Sequence, residues 1–575
     1  MTPTSSRGRL PSPWPRPSSS PHSRKRRRLI PTLQIAGAFA LPSFLASCAT
    51  RLNSTYTEDV VNHVIVVKSD GTWADPRDKL VAPSPDARPH DRMTLDEQLS
   101  RIAAKLKAQE PTAGHPLKIL VFVHGGLHSW TTSCDTYRTL RAPLKAAGYY
   151  PLFIVWDSDL LSSYGDHLWR VRQGEDSPYF APFTSPFVLP IDLVSAFVRA
   201  PIVWSAEIKN DLRTTEIKNS PQQRDHEVVE HFLQSKLGSS FRLGDDYRTF
   251  WERTYYGISY AVTFPIKLAT SPVVDGLGAK AWDVMLRRTR TMFHPPGRVD
   301  IFTRLAAQRN FFGIKDPTGL PGDERWRDQI VRDWYARTGV APEPPMKSAP
   351  PGAMWLVSRA LRVWSHKEHV ELHLFGHSMG TIVLNELLRQ VPDINVTRIG
   401  YLAAACTIAD WESAVLPYLN SPAGHATQFY GVSLHRMREQ SERNPGSVFD
   451  LTPRGSLLNW IDNFLSNPNT ISDRTLGSWD NIMRVVPQFA FDHDGQPMGT
   501  SPESVTQLLD RVHLHCLDAA DISFLNREDS QPQKHGDFTE WAFWRDEFLW
   551  PDHNSQMPAR LGSPKPSEPI LATKY

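Results

Sequence analysis

An α/β protein with a mostly parallel sheet flanked by helices and a large helical insertion is the fold class that three features of the sequence predict. The first is Lys118-Ile119-Leu120-Val121-Phe122-Val123, a continuous apolar run of the kind a strand shows when both its faces are covered. The second is the alternation that follows. A helical pattern carrying Tyr137, Leu140 and Leu144 leads to another apolar run over 150–156, and strand, helix, strand at this spacing is a βαβ unit. The third is Gly376-His377-Ser378-Met379-Gly380, set between a strand-like segment over 370–375 and a helical one over 381–390. That is the G-x-S-x-G pattern of a sharp strand-to-helix turn that holds up a serine. The turn strains the serine backbone, and a side chain on either flanking glycine would crowd the returning chain. In the helix that leaves it, Ile382, Leu384, Leu387 and Leu388 are the expected buried positions.

Ahead of this core, residues 1–47 read as a leader. Ser23-Arg24-Lys25-Arg26-Arg27-Arg28 is a positive run, residues 29–44 are mostly apolar, and Leu45-Ala46-Ser47-Cys48 sets small residues before a cysteine. Charged, apolar and small-residue regions in that order make a secretory signal. Pro31, Gln34 and Pro42 interrupt the apolar stretch, which makes it a poor permanent membrane span. Leu-Ala-Ser-Cys resembles the lipobox of bacterial lipoproteins. The resemblance implies that Cys48 carries an acyl anchor to the membrane, and Ala49 beside it suits sorting to the outer membrane of a bacterial cell envelope. The Pro/Ser/Arg-rich stretch over 1–22 departs from such signals by lying ahead of the basic run.

The 575-residue chain has a formal charge of +3, but the leader holds eight Lys and Arg and no acidic residue. The remainder carries 56 basic against 61 acidic residues, a net of −5, which argues against a general nucleic-acid binder. Cys134, Cys406 and Cys516 remain besides the anchor; three cysteines imply no disulfide framework, and the last two read as buried strand residues.

Residues 48–112 form a lead-in, with a strand expected near 60–67 and a helix near 95–109. The core begins over 113–157. The sheet rhythm then stops over 158–353, where helical pieces at 193–204, 255–268, 279–291 and 326–338 suggest a cap. Its apolar stretches over 180–190 and 255–268 read mainly as the cap's own core, with an acyl pocket as the other reading. The rhythm resumes over 354–550 with a helix at 354–364, the strand into Ser378, and strands over 399–406, 428–434 and 512–517. A helix bearing Trp541, Trp544, Phe548 and Trp550 is expected to close the core, and residues 551–575 to form a loose tail.

A strand ending in His124-Gly125-Gly126, the later Gly-His-Ser-Met-Gly turn, two further strands and a histidine after the last one resemble the α/β-hydrolase fold. The match covers residues 118–157 and 369–548. It implies a serine hydrolase of the esterase or lipase type, cleaving carboxylic ester substrates, lipid esters among them, through an acyl-enzyme on Ser378, with no cofactor. An acyltransferase or thioesterase with the same residues, or a non-catalytic envelope scaffold on a hydrolase fold, are the alternatives. A serine hydroxyl needs a base to take its proton, and the family order places that base at His535. The acid that orients the imidazole should follow the strand ending near Leu434. Glu439 is the choice there, with Glu442 and Asp410 as the other candidates. Backbone donors to the reaction's oxyanion are implied at Met379 and at Gly126 or Leu127. Two metal readings fail on the residues themselves. His513 and His515 lack a third ligand at diagnostic spacing, and the loop from Asp492 to Glu503 has Pro497 where a calcium loop needs glycine.

Overall fold

A computed structural model describes residues 52–81, 93–216, 250–294, 352–442, 453–490, 511–517 and 532–549, apart from a few positions within those spans. The leader with Cys48, the expected helix over 326–338, the calcium-like loop and the tail over 551–575 lie outside the described residues. The chain from Ala49 onward forms one compact unit.

Ten strands are described: β1 Val64–Val67, β2 Trp73–Ala74, β3 Leu117–Val123, β4 Tyr149–Trp156, β5 Val171–Arg172, β6 Glu175–Asp176, β7 Val370–His377, β8 Arg398–Leu402, β9 Gln428–Ser433 and β10 Val512–Cys516. Eight of them form one sheet in the order β10-β9-β8-β7-β3-β4-β1-β2, with β5 and β6 a separate hairpin. Every neighbouring pair in the sheet is parallel except β1 with β2 at the edge. The class read from the sequence, α/β with a mostly parallel sheet flanked by helices, is the class observed.

The order follows from which strands are apolar throughout. β3, β4 and β7 have nearly every residue buried, so they need cover on both faces and occupy the middle. Helix Trp130–Ala146 returns the chain from β3 to β4, burying Tyr137, Leu140 and Leu144 as the pattern required. Helix Gly380–Gln390 buries Val383, Leu384, Leu387 and Leu388, while Ile382 is only partly buried. Between β4 and β7 the described residues form helices Leu160–Trp169, Ala181–Glu216 and Phe250–Thr291, besides the β5–β6 hairpin and helix Ala353–Ser365.

Four local expectations are corrected. Residues 57–63 are helix rather than strand, because Val60 and Val61 pack inward from a helical turn before β1 begins at Val64. Tertiary packing overrides the strand preference of β-branched residues there. The strand expected over 399–406 ends at Leu402: Ala403 has φ +44°, and the turned chain lets Ala405 N–H donate to Ser378 O at 3.1 Å. Cys406 is buried, but in this loop. The expected closing helix does not include Trp541 and Trp544: a 3₁₀ turn, His535–Thr539, leads to irregular turns over 541–545, and beyond them Leu549 is helical, its N–H donating to Arg545 O at 3.1 Å. Trp541, Phe543 and Trp544 are all buried, and Phe543 stacks on Phe122 of β3 at 5.2 Å. Side chains buried in several directions do not make one helical stripe. Phe548 and Trp550 lie outside the described residues. Finally, the stretch over 180–190 is not a cap core. Phe183 is 79 % and Phe187 70 % exposed. Residues Ala181–Ser205 form a helix long and apolar enough to cross a membrane by length and composition.

The burial pattern of the elbow helix sets an expectation for stability. Leu387→Ala should cost about 3 kcal/mol and Ile382→Ala about 1 kcal/mol, read as shifts in urea midpoint at constant slope. Equal costs would mean the helix is rotated from the orientation described.

Candidate active site

Strand order in the sheet reverses around β3. The chain leaves β3 for β4 on one side and returns to β7 on the other, so the carboxyl ends of β3 and β7 form a topological switch point, the usual ligand position in such sheets. The His124-Gly125-Gly126 turn leaves β3 and Ser378 leaves β7 at this point.

Ser378 has φ +51°, a left-handed conformation that L residues seldom adopt. The turn is held by its own backbone. Ser378 N–H donates to Leu402 O at 2.9 Å, and Ser378 O accepts from Thr381 N at 3.1 Å and Thr381 Oγ1 at 2.7 Å. The flanking glycines are sterically required. A Cβ on Gly380 would lie 2.2 Å from Val123 O, and one on Gly376 would lie 2.9 Å from Thr381 N. Met379 stands at the cap position of helix Gly380–Gln390, where backbone N–H groups have no intrahelical acceptor and the helix end carries positive potential.

The glycine turn packs against this elbow. A Cβ on Gly125 would lie 2.7 Å from Ser378 Cβ, and one on Gly126 2.6 Å from Met379 Sδ. Gly126 therefore sits where the sequence placed it. Leu127 lies outside the described residues. Two residues that sequence reasoning missed hold the turn. Trp156 N–H donates to His124 Nε2 at 3.0 Å, so the His124 proton is on Nδ1, which donates to Gly125 O at 2.7 Å. Ser158 Oγ donates to the same oxygen at 3.1 Å. With its carbonyl held twice, the planar Gly125–Gly126 peptide has its N–H fixed in the opposite direction. The only sequence signal was the His of His-Gly-Gly itself.

His535 begins the 3₁₀ turn and is brought beside the elbow. Its ring lies 4.9 Å from the His377 ring, and His377 Nε2 donates to His535 O at 2.9 Å. Ser378 is fully enclosed and its Oγ makes no hydrogen bond with any described residue. The insertion reaches this point too. Met285, from helix Phe250–Thr291, lies 3.0 Å from the position a Gly126 Cβ would take.

The three candidate carboxylates have different surroundings. Glu439 lies in helix Arg436–Ser441 and accepts from Ser478 Oγ at 3.0 Å rather than from His535. Burial raises its pKa well above the usual carboxylate range, against the hydrogen bond from Ser478, with Asp480, Asp462 and Glu442 adding to the rise. Asp410 accepts from Asn385 Nδ2 at 2.6 Å and pairs with Arg389, both on the elbow helix. Glu442 is the one that reaches His535: its Oε2 accepts from His535 N–H at 3.0 Å. Burial raises Glu442 to about 7, against the opposing effect of that hydrogen bond. Among the described residues no group of three His, Cys, Asp or Glu side chains is placed to hold a metal. His513 instead bonds Gln428 Oε1 at 2.8 Å, and Cys406, beneath the elbow, is pushed up to about 12 by burial and stays a thiol.

Compared with known proteins, the chain matches no family model, no curated protein and no solved structure. The site's own geometry carries the functional argument.

The raised pKa of Glu442 has a definite linkage sign. Between about 4.5 and 7 the unfolded chain gives up this proton while the folded chain keeps it, so the group lowers stability as pH rises. Glu442→Gln removes that loss. Its stability relative to the parent should grow between pH 4.5 and pH 8 by up to ~3 kcal/mol, measured by urea unfolding at each pH. A difference independent of pH would show that Glu442 ionises normally in the fold.

Proposed function

We propose that the protein is a serine hydrolase of carboxylic esters, built on the α/β-hydrolase pattern and acting through an acyl-enzyme on Ser378. The observation that carries this reading is the serine itself. It is held at positive φ between a parallel strand and a helix start, with glycine backbone from a second strand end packed against it. A structural turn serine needs none of this, whereas an attacking oxygen needs close backbone donors and a fixed direction of approach.

In this mechanism Ser378 Oγ attacks the ester carbonyl carbon while His535 takes the hydroxyl proton. The oxyanion that forms is met by N–H groups of Met379 and Gly126. Collapse breaks the bond to the alcohol, which leaves with the proton from His535, and water then repeats the sequence to release the acid. The hydrogen bond from Ser378 to His535 forms as substrate binds, since such bonds are commonly long in empty sites. Glu442, rather than Glu439, touches His535, but through the backbone N–H, so it would steady the position of the base rather than partner its ring. A lipid anchor at Cys48 would put the enzyme at a bacterial envelope membrane, and transfer to an acceptor other than water would use the same groups. The full enclosure of Ser378 favours a second reading, a scaffold without catalysis, and a fluorophosphonate separates the two because only an activated serine reacts with it.

The protein should hydrolyse p-nitrophenyl esters and label with a fluorophosphonate, and Ser378→Ala should abolish both. Absence of turnover together with absence of labelling would overturn the proposal. Positioning of the glycine turn should also be measurable. Ser158→Ala should lower kcat about tenfold with little change in KM, a fraction of the loss for deleting an oxyanion donor outright. An unchanged kcat would mean that His124 suffices to hold the Gly125 carbonyl.

A further inference from the structure

Helix Ala181–Glu216 has its polarity reversed. Its sheltered face carries Ala181, Ser185, Asp192, Ala196 and Ala200, while Phe183, Phe187, Ile191, Val194, Val198 and Ile202 point outward, each 63–79 % exposed. Helix Phe250–Thr291 repeats the pattern, enclosing Thr263, Lys267, Ser271 and Asp275 and exposing Ile258, Val262 and Ile266. The two pack closely. A Cβ on Gly276 would meet Ala196 Cβ at 2.4 Å, and Trp204 Nε1 donates to Leu268 O at 2.8 Å. Charges beneath the surface are paired, Asp192 with His167 at 3.0 Å and Asp275 with Arg199 at 3.1 Å. A surface helix in water turns its apolar stripe inward. Small residues at the crossing, paired charges inside and large aliphatic and aromatic residues outside are what helices show toward lipid.

Two observations and one expectation from the sequence point to what covers this face. The sheltered side of the helix Ala181–Glu216 packs on helix Leu160–Trp169 and on the turn Ile461–Leu465, so hydrocarbon can reach one side only and the helix cannot be a free span. A protein partner would need about one hydrogen bond per 100–200 Å². From Phe183 to Val198 the exposed positions are apolar residues and prolines, with Ser195 the lone polar side chain. The chain outside the described residues supplies the third. Cys48, the expected acyl anchor, is four positions before Leu52, which is buried and bridged to Val81. Four extended residues reach about 14 Å, so an acyl chain there would hold the body against a bilayer.

We propose that the outward face of these two helices docks in the plane of a lipid bilayer, with its apolar side chains entering the acyl boundary. The stripe from Phe183 to Ile202 runs about 29 Å along that surface. This docking is independent of whether Ser378 is catalytic.

The test uses the full chain with Cys48→Ser, whose remaining described cysteines are buried. An environment-sensitive fluorophore is placed through Phe187→Cys or Val198→Cys, and through Val363→Cys as reference. Val363 is 59 % exposed on a different helix, Ala353–Ser365. With phosphatidylethanolamine/phosphatidylglycerol vesicles, the labels at 187 and 198 should shift to the blue and be quenched by brominated lipid, and the one at 363 should do neither. Adding Phe183→Glu, Ile191→Glu and Val194→Glu should abolish the response; these side chains are exposed, so the fold tolerates the change. Labels at 187 and 198 that stay in water with vesicles present would overturn the proposal. So would a blue shift that needs no vesicles and grows with protein concentration, since a second copy would then be covering the face.

Discussion

Everything at the candidate site depends on how closely the start of helix Gly380–Gln390 approaches the end of β3. The position of a Gly380 Cβ is 2.2 Å from Val123 O, so the two backbones meet with no side chain between them. That contact fixes the elbow against the β3 end, and the glycine turn that follows is laid across Ser378 and Met379. The +51° φ at Ser378 costs of order 1–3 kcal/mol, and it is maintained because β8 and the elbow helix bond both sides of the same residue. The central strands, apolar on both faces, supply the rigidity on which this depends.

Around that point the histidines divide the work by what their backbones and rings touch. His124 spends both ring nitrogens on the glycine turn and β4, so it is a fixed part of the scaffold. His377 reaches across to the carbonyl of His535 and ties the turn His535–Thr539 to the elbow over a sequence separation of 158 residues. Glu442 holds the same turn from the other side through the His535 N–H. This turn is thus placed by polar contacts from two elements rather than by a helix of its own.

The elements legible in the sequence were those whose signal is local. β3, β4, β9 and β10 are near-continuous apolar runs, and the elbow announces itself through glycine spacing. What the sequence could not show depends on distant partners. Glu439 and Glu442 are three residues apart in one polar run, yet one turns to Ser478 and the other to His535, partners 39 and 93 positions further along. Ala403 leaves the strand because its neighbour bonds the elbow, which no propensity encodes. Apolar residues over 180–190 and 255–268 read as core because periodicity reports which residues share a face and is silent on which way that face looks. Ser158 was unremarkable in sequence, and only the approach of β4 to the glycine turn gives it a task.

The enclosure of Ser378 has a kinetic meaning of its own. A residue with no exposed surface can be met by a reagent only in the fraction of time its surroundings stand aside. At low reagent concentration the reaction would report that fraction. At high concentration every opening would be trapped, and the rate would level off at the frequency of opening, whatever the reagent. The serine is therefore a clock for local opening around the elbow, and its plateau would time that motion without any label placed upon it.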